Sequence, residues 1–123
     1  MAREQKIPGP DHPITIEPHA GRVTVQVSGT LVADTTGALT LQEADYPPVL
    51  YIPRADVHTE HLERTATETY CPYKGEASYF SVKAEDGNLV KDAIWTYEKP
   101  HAAVEQIAGH VAFYPQHATF GEG

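Results

Sequence analysis

Apolar residues recur mainly at every second position along this chain. In RVTVQVSG, Val23, Val25 and Val27 fall on one face and Thr24, Gln26 and Ser28 on the other, the period of a half-buried strand. Gly29 ends that run, and TLVAD reads as the return strand of a hairpin. ALTLQE alternates again through Leu39 and Leu41, and Val49 to Ile52 form a short apolar strand closed by Pro53. ASYFSV and DAIWTY both alternate, and the Asp86-Gly87 pair between them is a hairpin signal, since glycine reaches positive φ without steric cost. HVAFYP is the last predicted strand.

Two segments break this period. ADVHTEHLER is predicted as a short helix, with Asp56 as cap, Val57 and Leu62 facing inward and Glu60 four residues before Arg64. HAAVEQIA after Pro100 is predicted as a second, with Gly109 just beyond its end. Residues 1–22 carry four prolines and read as an extended N-terminal arm; residues 23–116 form a single β-rich domain, and 117–123 a flexible tail. About seven short strands and two short helices favour an all-β, mainly antiparallel sheet pair or open barrel over a βαβ fold.

Composition narrows the function classes. A 123-residue domain buries roughly two-thirds of its unfolded surface, so its stability requires neither a metal nor a disulfide. The single cysteine excludes an internal disulfide and a cysteine-pair zinc framework. The first residues hold no apolar run of signal-peptide type and no segment reaches membrane-spanning length, so the expected home is the cytoplasm, with no membrane partner. A net charge of −8 with nine scattered basic residues disfavours a nucleic-acid polymer.

Candidate chemistry gathers around TYCPYKG. Ten of the eleven aromatic residues lie between Tyr46 and Tyr114, and seven of those ten are tyrosines, which pair an apolar body with a hydroxyl that needs a partner. Alternation places Tyr79 on one face of its strand and Trp95 and Tyr97 together on one face of theirs. Pairing of the two would make an aromatic stripe belonging to a core, a cleft or an interface. Pro72 and Gly75 bracket a turn that aims Tyr73 and Lys74, and a nearby Lys74 would favour the Cys71 thiolate. A lone cysteine is equally a small buried hydrophobe. Arg54, after the VLYIP strand, is an anion-contact candidate or a surface ion-pair partner. His58 and His61 share a spacing that can serve a metal, but no third ligand is identifiable, and no metal or cofactor is implied.

Taken together, GPDHPITIEP, RVTVQVSGTLVADTTGAL, YPPVLYIPRADV, TYCPYKGEASYFSV, AIWTYEKP and IAGHVAFYP resemble the family known as domain of unknown function 427, from about Pro8 to Pro115. The resemblance implies a tent-like open barrel similar to the Mss4 and methionine sulfoxide reductase type. The paired-cysteine zinc staple of many tent-fold proteins cannot be present with one cysteine. The family is labelled in places as a nucleotidyltransferase. That chemistry needs paired carboxylates for magnesium, whereas Asp34, Asp56 and Asp86 are dispersed in the sequence.

Three readings follow. The first is a binding domain for a small polar or anionic molecule, with Tyr51, Tyr73, Tyr79, Trp95 and Tyr97 as cleft walls and Arg54 and Lys74 as anchors. The second is an enzyme using that cleft, through a catalytic Cys71 or through nucleotidyl transfer. The third is an interaction module whose stripe pairs with a second copy as a homodimer.

Overall fold

The computed structural model describes residues 4–122, and its regular structure is antiparallel β-sheet. Strands β1 (Ile14–Pro18), β4 (Leu39–Glu43), β5 (Val49–Pro53), β9 (His110–Phe113), β8 (Leu89–Thr96), β7 (Gly75–Lys83) and β6 (Leu62–Cys71) form, in that spatial order, a seven-stranded sheet. A second sheet has the order β10 (Ala118–Glu122), β2 (Val23–Val27), β3 (Thr30–Thr35). The all-β expectation holds, and the sheets do not close into a barrel. Among the described residues no helix is long and apolar enough to cross a membrane.

The alternating valines behave as their spacing predicts. Val23, Val25 and Val27 are fully buried. They join Val32, Ile52, Phe80 and Ile94 in one cluster between the small sheet and one face of the large one. A second cluster, with Leu41, Tyr51, Tyr79 and Tyr97, covers the opposite face of the large sheet. Odd and even positions of β7 therefore serve different clusters: Ala77 and Tyr79 one, Phe80 and Val82 the other. The turn at Asp86-Gly87 joins β7 to β8 with Gly87 at φ +90°.

Neither expected helix forms as such. Residues 54–56 and 59–61 make single 3-10 turns, and Leu62 already begins β6. Val57 and Leu62 are too few apolar positions to hold an amphipathic helix, whereas the threonine-rich LERTATETYC suits the long edge of a sheet. Residues 102–107 are a 3-10 segment whose buried Val104 and Ile107, three apart, plug the second cluster. The proline-rich arm contains β1, paired with β4 through Ile16 opposite Leu41. Proline is tolerated there because β1 lies at the sheet edge. The segment expected as a flexible tail contains β10, paired with β2 through Phe120 opposite Val25.

Two bulges flank β7. Residues 65–67 of β6 stand against Tyr79 alone and residues 91–93 of β8 against Ser81 alone, at the register shifts Arg64/Glu68 and Phe80/Val82. Asp92 sits in the second at φ +51° and accepts hydrogen bonds from Thr65 Oγ1 at 2.7 Å and Thr67 Oγ1 at 2.8 Å, so its carboxylate ties the two bulges together. Bulges bend and twist their strands. The large sheet accordingly curls until the turn after β6 meets β4, five places away in its strand order.

Candidate functional site

The curl encloses a cavity of about 490 Å³ against the second cluster. Its floor comes from Tyr51 on β5, Tyr79 on β7 and Trp95 on β8, with Tyr97 and Tyr114 just beyond β8 and β9. One side is Cys71 to Lys74, the turn between β6 and β7. Gly75 makes that turn fit: at φ +115° it occupies a conformation that other residues rarely adopt, and a Cβ there would lie 3.5 Å from the Lys99 carbonyl oxygen.

Glu43 is the hinge of the polar wall. Its carboxylate accepts from Lys74 Nζ through one oxygen and contacts His12 Nε2 at 2.8 Å through the other. Burial pushes this carboxyl up, but hydrogen bonds from Lys74 and then His12, with their charge, outweigh burial and hold it below the ordinary value of 4.5. His12 in turn stacks on Tyr73, ring centroids 4.0 Å apart and planes within 9°. The extended segment before β1 is fastened over the same turn. Lys6 N–H donates to the Pro72 carbonyl at 2.9 Å, and Tyr70 hydroxyl donates to the Glu4 carbonyl at 2.6 Å.

The aromatic floor has its own hydrogen-bond order. Trp95 Nε1–H donates to Tyr51 hydroxyl at 3.2 Å, with the rings edge to face. Tyr114 donates to Tyr79 at 3.4 Å, and Tyr79 meets Thr69 Oγ1 at 2.9 Å. Burial pushes the Tyr51, Tyr97 and Tyr114 phenols well above their ordinary value of 10.

Of the sequence-predicted residues, the structure brings together Tyr51, Cys71, Tyr73, Lys74, Tyr79, Trp95 and Tyr97 around this one cavity. Arg54 is elsewhere. Its guanidinium lies over Phe80, 5.0 Å from the ring centroid, with Glu98 Oε2 3.4 Å away, on the side of the sheet that faces the first cluster. Lys74 lines the cavity, but its ammonium is engaged by Glu43. The aromatic stripe is folded inward, since Tyr79 and Tyr97 are buried. The three dispersed aspartates do not converge: Asp34 is paired bidentately with Arg22, Asp56 accepts from Thr35, and Asp86 holds Ser28 and Asn88. Nor do His58 and His61 belong to a group of three or more His, Cys, Asp or Glu residues placed for a metal, and the described residues contain no such group.

Sequence reasoning missed Glu43, His12 and Tyr114. Glu43 had a readable signal, because Leu39, Leu41 and Glu43 share one face of a strand and a carboxylate at the third inward position is out of place in a core.

A family model described as Domain of unknown function (DUF427) matches residues 15–120. The chain belongs to the DUF427 family. No curated protein matches it. The matched span of this DUF427 domain includes β4, the Cys71–Lys74 turn and every floor residue of the cavity; His12 precedes it.

Proposed function

We propose that this domain binds a small polar molecule that carries a flat ring or another apolar body, held in the cavity between the aromatic floor and the Glu43–Lys74–His12 wall. The observation that carries this reading is the cavity itself: about 490 Å³, of small-molecule size, with a floor of five aromatic rings and one short polar array at its wall. Glu43 already neutralises Lys74, and Arg54 lies outside the cavity, so an uncharged polar group suits the wall better than a free anion. The enzyme readings gain less support. The cation that would favour a Cys71 thiolate is engaged by Glu43, and the aspartates needed for nucleotidyl transfer have separate partners.

Trp95 is the only tryptophan and lines both this cavity and a second one of about 510 Å³, so its emission reports occupancy here where the response also depends on Tyr79, which lines the first alone. A collection of neutral, ring-bearing fragments titrated against the protein should yield binders of about millimolar Kd that shift Trp95 emission. Tyr79→Ala should weaken them in a protein that still melts cooperatively. Binders that leave Trp95 unperturbed, or no binders at all, would remove the proposal.

A further inference from the structure

The hydrogen-bond order of the cavity floor specifies which ligand atom it can receive. An indole N–H only donates, so Tyr51 oxygen must act as acceptor towards Trp95, and the Tyr51 proton is directed elsewhere. Tyr79 and Tyr114 satisfy each other, with Thr69 completing the chain. Tyr97 is different. It is 6 % exposed, and its hydroxyl donates to no side chain or carbonyl among the described residues. Yet no sealed side-chain oxygen among those residues lacks a partner, so this hydroxyl opens into the cavity that Tyr97 lines. Two phenols, 99 % and 94 % buried as residues, thus each keep a proton with no internal acceptor. The Tyr97 hydroxyl faces cavity water, and a bound acceptor that displaces that water meets a donor with no competing internal partner.

From this geometry we infer that the cavity takes a neutral carbonyl compound (an amide, urea or ketone) whose oxygen accepts from Tyr97 hydroxyl, with Tyr51 hydroxyl as a second donor and the ligand's ring lying among Tyr79, Trp95 and Tyr114. The inference rests on the binding reading above and names its ligand class. Burial, with the negative charge of Glu43 adding to it, pushes both phenols well above their ordinary value, so they remain donors across the physiological range. With Lys74 engaged by Glu43, the wall leaves no free cation to anchor a carboxylate, and a cation offers neither phenol proton an acceptor.

The test uses three ring-matched probes on the intact protein: benzamide, benzoate and benzylammonium, each followed by Trp95 emission and by the indole N–H resonance. Benzamide should bind more tightly than either ion. Tyr97→Phe, which keeps the ring and breaks no internal bond, should weaken benzamide about five- to tenfold. Tyr51→Phe should also weaken benzamide and should move the Trp95 N–H resonance in the free protein. Benzoate or benzylammonium binding at least as tightly as benzamide would overturn the inference, as would an unchanged benzamide affinity in Tyr97→Phe. Either result leaves the cavity a binding site. Absence of binding by all three probes to 10 mM, about the weakest range worth fitting for fragments of this size, would also overturn it, whereas failure of the broader fragment collection would remove the binding reading itself.

Discussion

Replacement of Glu43 by Gln tests whether its contacts hold the curled sheet closed. The carboxylate links β4 to the turn after β6, and its side chain and that of Lys74 are only 10 % and 12 % exposed. Breaking a fully buried pair costs about 3–5 kcal/mol, because the remaining charge stays in a poor solvent, whereas an exposed pair is worth about 0–1 kcal/mol. This pair borders an open cavity, so water partly solvates the orphaned ammonium, and a loss of about 2 kcal/mol is expected. For a domain of 123 residues the unfolding entropy near 60 °C is on the order of 0.26 kcal/mol/K, which converts that loss to a Tm lower by roughly 8 °C. The assay is a thermal melt at pH 7, repeated for Lys74→Met and for the double variant. The double variant should recover much of the loss, since no charge is left unpaired. The pH dependence has a definite sign. Glu43 is held below its unfolded value of 4.5, so its contribution is complete above that value and fades as pH falls through the folded one. The wild type and Glu43→Gln should therefore converge in stability in strong acid. A Glu43→Gln melt within about 2 °C of wild type at pH 7 would refute the role assigned to the pair.

Other outcomes follow from single observations. Gly75→Ala places a Cβ at φ +115° beside the Lys99 and Pro100 backbone and should cost about 1–3 kcal/mol, read as a lower urea midpoint with an unchanged slope; a neutral effect would show that the turn relaxes freely. Asp92→Ala removes the acceptor that joins the two bulges and keeps a left-handed residue without its side-chain support, so a loss of about 2 kcal/mol is expected in urea melts. Asp92→Asn, which can still accept from one threonine, should lose less. Cys71 is half-buried at the cavity wall with Lys74 drawn to Glu43, so a neutral alkylating agent at pH 7 should label it no faster in the folded protein than in urea; faster folded labelling would revive the thiol-enzyme reading.

Much of the local structure was legible because it depends on neighbours in sequence. The period of two in RVTVQVSG, the Asp86-Gly87 hairpin, the Pro72 and Gly75 that shape the Lys74 turn, and the shared face of Tyr79 with Ala77 all follow from backbone sterics and strand pleat. The same rules place seven of the cavity's residues on or beside the aromatic strands and the Lys74 turn. β6 was not legible, because threonine and glutamate alternate there with little apolar signal, and its strand state comes from pairing with β7. β1 lies in the proline-rich arm, whose extended state allowed an edge strand without naming its partner, and β10 in a segment whose shortness suggested no strand; β4 and β2 supplied the partners.

The sequence alone thus determined an all-β chain with an aromatic, tyrosine-rich face and a shaped turn beside it. Only the tertiary structure decided that Arg54 lies over Phe80 and away from that turn, and that Glu43 and His12, each 31 residues from its partner, meet at its wall. The physical reason is the curl. Alternation tells which side of a strand a residue faces, but the bulges around β7 set how far the sheet bends. That bend, summed over seven strands, chooses which distant side chains share a cavity.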